Sequence, residues 1–130
     1  MRYNSLPKQL RIRRKADFTV CYTQGIRYHT EHFLVFVFSG ACPGLPARVG
    51  MAVSRKVGNA VTRNRIKRLL REFYRLYQKE LPMEADVVAV AKRHAGKAKL
   101  AFSTVAAELL PLLRHVVQKR PPRPTLDTLS

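Results

Sequence analysis

Two short apolar segments flank one strongly amphipathic stretch, and that arrangement constrains the fold more than anything else in the chain. Residues 47–54, ARVGMAVS, place Val49, Met51 and Val53 on one face of a strand, and residues 86–91, DVVAVA, form a second, buried strand. Between them, a helix is predicted from about Ala60 to Lys79, ending before Pro82. Gly58 supplies backbone freedom ahead of it, and Asn59 is suited to be its N-cap. Two strands joined through a helix of this length suggest a βαβ unit.

The helix is as informative about chemistry as about fold. Residues 55–75, RKVGNAVTRNRIKRLLREFYR, contain eight Arg or Lys and one acid. At about 100° per residue, Arg63, Asn64, Lys67, Arg68, Arg71 and Arg75 share one side. Ile66, Leu69, Leu70, Phe73, Leu76 and Tyr77 share the other and are expected in a core. Arg65 lies near the boundary. A basic side opposite a core side suits a polyanion such as a nucleic acid backbone.

The chain's length of 130 residues suits one domain, and 46% hydrophobic residues suffice for its core. A formal net charge of +17 opposes compaction and favours a polyanionic partner over a merely solvated surface. No run approaches the roughly 20 apolar residues of a membrane span. The N-terminal MRYNSLPKQLRIRRK lacks the apolar region of a secretory signal, so a cytoplasmic location is expected. Cys21 and Cys42 are isolated and expected to be reduced, Cys21 as a small packing residue.

Elsewhere, residues 1–11 are expected to be extended, and 13–24 helical with Gly25 as the residue after the helix end. Phe18 and Tyr22, four apart, share a face of that helix. On spacing alone, inward packing of both rings is favoured over a stacking platform. Residues 26–39 are expected to form one long strand, apolar on both faces from Phe33 to Phe38, hence central or lining a groove. The turn-rich 41–46 suggests an antiparallel hairpin into the next strand. A last helix begins near Ser103, with a kink or break expected at Pro111, and the Pro-rich tail 119–130 is expected to be disordered.

A self-contained catalytic constellation is not evident. The eight acids are scattered, which argues against a stand-alone metal-dependent nuclease. On a continuous strand, His29 and His32 would point to opposite faces, a poor geometry for chelation, and His94 and His115 lack obvious partners. No phosphate-binding Gly loop and no nucleophile elbow is present, and no catalytic or metal-ligating residue is assigned.

The segment SRKVGNAVTRNRIKRLLRE at 54–72, with Arg63-Asn64-Arg65 at its centre, resembles the RNR motif of the bacterial ribonuclease P protein family. KADF at 15–18 followed by Tyr22, ELP before DVVAVAK, and the last helix extend the resemblance over residues 6–118, here taken as the domain 1–118. Tyr22 stands where Phe is often found, and Ser54 and Asn59 replace lysines of some relatives.

The resemblance implies an α+β fold: a single-domain α/β sandwich with a central sheet packed by helices. Its order is αβββαβα or close to it, with an unusual left-handed βαβ crossover (the ribosomal protein S5 domain 2-like arrangement). Chain geometry alone would predict the right-handed form. The resemblance also implies a ribonucleoprotein endonuclease that removes the 5′ leader of precursor tRNA. In it, the RNA subunit carries catalysis and holds most of the Mg²⁺. Arg63, Asn64, Arg65, Lys67, Arg68 and Arg71 become candidates for binding the RNA subunit. Phe18, Tyr22, Phe36 and Lys56, with Lys92 and Arg93 flanking, become candidates for the leader cleft. The competing expectation is a non-catalytic RNA-binding protein of another ribonucleoprotein, such as the ribosome.

Overall fold

The computed structural model describes residues 8–41 and 43–119. Residues 1–7, Cys42 and the expected tail from residue 120 on lie outside them, while Lys119 belongs to the last helix. Three helices, α1 (Lys15–Gln24), α2 (Ala60–Leu76) and α3 (Phe102–Lys119), pack on a four-stranded mixed sheet of β1 (Ile26–His29), β2 (Phe33–Ser39), β3 (Arg48–Ala52) and β4 (Ala85–Ala91). The sheet order is β1-β2-β4-β3. The fold is therefore α+β.

Alternation of side chains divides the sheet between two cores. Phe33, Val35 and Val37 of β2, Val49 of β3 and the odd-numbered residues of β4 meet α2 and α3 in the main core. There they join Ile66, Leu70, Phe73, Leu109 and Leu113. On the opposite face Ile12, Cys21 and Val88 form a smaller core with Phe18, Phe36, Phe38 and Val90. Tyr74, outside the expected core list, is fully buried because its hydroxyl donates to Gly50 O at 3.0 Å. Leu76, expected inside, is 51% exposed where α2 ends.

The expected βαβ unit is present: β3 and β4 are parallel neighbours joined through α2. Its hand follows from two contacts. Viewed from the α2 side with β3 running upward, Val49 points at the viewer, and L-chirality sends its own N–H and C=O to the right. That carbonyl accepts from Ile12 N at 2.8 Å, in the segment bridging the outer edge of β3. β4 therefore lies on the left, and the crossover is left-handed, against the ~98% right-handed rule.

Other local expectations are corrected. Residues 26–39 form two strands in an antiparallel hairpin. Thr30 makes the turn: its N–H donates to Phe33 O at 2.8 Å and its Oγ1 accepts from Phe33 N at 3.0 Å. A β-branched turn residue disguised this break. The 41–46 loop is no hairpin, since β4 inserts between β2 and β3. Glu84, in the left-handed region at φ 61°, ties that loop to the start of β4. Its carbonyl accepts from Gly40 N and Ala41 N, and its Oε2 from Gly44 N.

Gly25 is extended rather than left-handed (φ −78°) and serves close approach instead. A β-carbon there would stand 2.4 Å from Cys21 O. Lys8–Leu10 forms a 3₁₀ turn within the segment expected to be extended. α3 runs unbroken through Pro111. Pro111 and Ala107, whose carbonyl loses its donor, are both exposed, so water can satisfy that carbonyl while Val105, Leu109, Leu113 and Val116 anchor the helix.

Candidate nucleic-acid interface

The strand register sets out the sheet face under α1 in three rows. Arg48, Asp86 and Phe38 form the first, Gly50, Val88, Phe36 and Arg27 the second, and Ala52, Val90, Leu34 and His29 the third. α1 crosses the first two. Asp17 reaches Arg48 at 3.5 Å, and the Cys21 thiol points at Phe36 O and Asp86 O, at 3.5 and 3.7 Å. Burial, with the Asp86 charge second, pushes that thiol up to about 11, so it packs and does not react. In the third row Ala52, Val90 and Leu34 remain half-buried.

This leaves a groove walled by α1 and floored by the sheet. Phe18, Tyr22 and Phe36 are brought together along it. Ring centroids lie 6.2 Å apart for Phe18–Tyr22 and 5.0 Å, edge-on, for Tyr22–Phe36. Tyr22 is 39% exposed and can offer a ring face to a ligand, whereas Phe18 and Phe36 are half-buried. Partial burial raises the Tyr22 hydroxyl above its ordinary pKa, keeping it a neutral donor. No local pattern announced the groove-floor residues Ala52 and Val90, or Arg27 and His29 at the rim. The 33–38 periodicity hinted at Leu34, but the others depend on pairing register.

Beyond the groove's third row, β3 leads into the Lys56 loop and β4 into a 3₁₀ turn at Arg93–Gly96. The two pack tightly, because a β-carbon on Gly96 would stand 1.9 Å from Val57 O. Between them is an open pocket of about 490 Å³ lined by Lys56, Val57, Arg93, His94 and Lys97. Lys56 and Arg93 thus share a site, joined by His94 and Lys97, which sequence reasoning left unassigned. Lys92 points elsewhere, its amine donating to Thr30 O.

The Lys56 loop runs into α2. Asn59 caps it as expected, accepting from Thr62 N at 2.9 Å. Arg63 Nε donates to Gly58 O at 3.2 Å, which fixes its guanidinium near the helix start. Asn64, Arg65, Arg68 and Arg71 are exposed, and Lys67 is half-buried. Arg65 faces solvent rather than a neighbouring element. Arg75, on the same side, is paired with Glu72 at 3.1 Å. Five basic side chains therefore remain on one helix side, next to the pocket at its N-terminal end.

The described carboxylates are mostly engaged. Asp86 holds Arg48 through Nε at 2.8 Å and Nη2 at 2.6 Å, and Glu80 holds Arg114 at 3.0 Å. Glu108 accepts from Thr30 Oγ1 at 2.7 Å, from His32 N at 2.9 Å, and from His32 Nδ1. His94, expected to lack a partner, meets Glu31 O at 2.7 Å. Among the described residues, no helix is long and apolar enough to cross a membrane.

Comparison with known proteins agrees with this geometry. The family model described as Ribonuclease P matches residues 6–117. The ribonuclease P protein component of Desulfovibrio desulfuricans is 67% identical over 129 residues, covering 99% of each chain. That of Oleidesulfovibrio alaskensis is 46% identical over 113 residues, covering 85% of this chain and 89% of its own. Among solved structures, the RNase P protein of Thermotoga maritima superposes with a TM-score of 0.71 at 30% identity, over 81% of this chain and 96% of that one. The Staphylococcus aureus RNase P protein does so with a TM-score of 0.71 at 28% identity, over 82% and 94%. The left-handed crossover, the aromatic groove and the basic RNR helix thus sit in a chain that belongs to the bacterial ribonuclease P protein family.

Proposed function

We propose that this ribonuclease P subunit clamps two RNAs at once. The outer side of α2, with Arg63, Asn64, Arg65, Lys67, Arg68 and Arg71, binds the catalytic RNA. The groove of Phe18, Tyr22 and Phe36, with Lys56 and Arg93 at its end, receives the single-stranded 5′ leader of precursor tRNA. Lys92 braces the Thr30 turn beside it. The observation that carries this reading is the unbroken succession of aromatic groove, basic pocket and basic helix. Aromatic faces suit unpaired bases, worth about 1–3 kcal/mol per stacked base, and guanidinium forks suit phosphates.

Bond breaking belongs to the RNA in this reading. Phosphodiester hydrolysis with Mg²⁺ needs oxygen-rich ligands. The one described cluster with metal-ligating spacing is Glu31, His32 and Glu108, which mixes imidazole with carboxylate and does not fit Mg²⁺. The protein's own contribution is charge neutralisation and a grip on the leader, so that substrate binds more tightly than product. The test is cleavage of precursor tRNA by the RNA subunit at low Mg²⁺, with and without the protein. Stimulation supports the proposal. Its absence, or cleavage by RNA-free protein, overturns it.

A further inference from the structure

We infer that β1 carries an outer subsite of the leader groove, where Arg27 and the open strand edge bind the phosphate of one further unpaired nucleotide. This rests on the groove being the site of the leader.

β1 lies at the edge of the sheet and pairs with β2 alone. The turn sets which of its backbone groups face outward. Thr30 N donates to Phe33 O, and hydrogen-bonded pairs alternate from there along the hairpin. Tyr28–Val35 and Ile26–Val37 are therefore bonded pairs, whereas Arg27–Phe36 and His29–Leu34 are not. The N–H groups of Arg27 and His29 consequently point away from β2, off the open edge. Backbone donors along a sheet edge suit an anion.

The side chains add to this. Arg27 stands directly across from Phe36 on the α1 side of the sheet, and His29 across from Leu34, with β-carbons about 4.5–5.5 Å apart in such pairs. Both are exposed, because α1 does not extend over β1. The other arginine on this face, Arg48, is held by Asp86. Arg27 makes no ion pair among the described residues, so its guanidinium is free for a phosphate. A phosphate gripped there leaves its base over Leu34 and the His29 ring, and histidine is among the side chains on which unpaired bases stack. The strands that lead to Arg93 and Lys56, β4 and β3, lie two and three strand spacings from β1, about 10 and 14 Å. The β1 subsite therefore serves a different nucleotide from the one at the basic pocket.

The test uses the holoenzyme of RNA subunit and full-length protein, with precursor tRNAs whose leaders lengthen one nucleotide at a time. With the parent protein, affinity is expected to rise with leader length. Arg27→Ala should erase the gain from the outermost bound nucleotide, weakening long leaders about tenfold, the worth of a charged hydrogen bond. Short leaders and mature tRNA should bind unchanged. Arg27→Lys keeps the charge and should restore part of the gain. Arg114→Ala removes an equal charge on α3 and should leave the whole profile as it is. Equal loss across all lengths, no loss at any length, or the same loss in Arg114→Ala would overturn the β1 subsite and leave the groove reading standing. A parent holoenzyme indifferent to leader length would overturn both.

Discussion

Phe18 of α1 rests on the backbone of Gly50 in β3, so closely that a β-carbon on the glycine would stand 2.9 Å from Phe18 Cε1. Gly50 also carries the carbonyl that anchors Tyr74 from the opposite face. One residue thus seats both the groove wall and the main core.

Gly50→Ala is expected to lift the Phe18 ring and cost about 1–3 kcal/mol, the usual range for overpacking. Because the ring sits at the groove, preference for leader-bearing over mature tRNA should fall about tenfold, within the range of one lost stacking contact. Binding of both tRNAs to the reconstituted holoenzyme checks this. Equal losses for the two would place Phe18 in a purely structural role.

The hydrophobic period and the Asn59 cap were enough to locate α2, and the apolar runs located β3 and β4. These features are local. Strand order was not legible, because nothing in residues 40–47 announces that β4 will insert between β2 and β3; Glu84, forty residues away, organises that loop. The basic side of α2 was readable from spacing alone, and so was the shared face of Phe18 and Tyr22. Ala52 and Val90 became groove residues only through register. The pairing of Arg48 with Asp86 escaped notice for the same reason: 38 positions separate them in the chain.

That pair yields a second prediction. Asp86 is 3% exposed and binds Arg48 through two nitrogens. Asp86→Ala would leave a guanidinium in the smaller core with its main partner gone. Such losses cost 3–5 kcal/mol; with the Arg48 side chain 24% exposed, about 3 kcal/mol is expected. Asp17→Ala removes only a 3.5 Å contact near the surface and should cost less than about 1 kcal/mol. Urea unfolding of both variants distinguishes the two. Similar losses would mean that Arg48 is not held chiefly by Asp86.

Glu108 links stability to acid. Burial raises its pKa, but hydrogen bonds from His32 Nδ1, Thr30 Oγ1 and His32 N outweigh burial and bring it below its ordinary value. A carboxyl depressed in the folded state stabilises it above the unfolded pKa, about 4.3. That contribution is lost as pH falls through the folded value. The stability gap between the parent protein and Glu108→Gln should therefore be fully developed above the ordinary carboxylate range and shrink steadily as pH falls below it. Urea midpoints across that interval measure it, and a gap that stayed constant would show that the ionised carboxylate is not what holds the Thr30 turn to α3.

The basic helix makes its own demand on salt. Arg68 is exposed and its guanidinium is free to reach a phosphate, while Arg63 is fixed against Gly58 O at the helix start. Each phosphate contact releases condensed counterions, which contributes about 0.7–0.9 to the slope of log affinity against log salt. Arg68→Ala and Arg63→Ala should each flatten the slope for binding the catalytic RNA by about that amount. Arg63→Ala should also lower α2 stability, because it removes a bond to the loop that carries Asn59. Arg75→Ala, already paired with Glu72, should change the slope least. Filter binding from low to moderate salt reads all three slopes. If Arg75→Ala flattened the slope as much as Arg68→Ala, the RNA-facing side of α2 would have to extend to its C-terminal end.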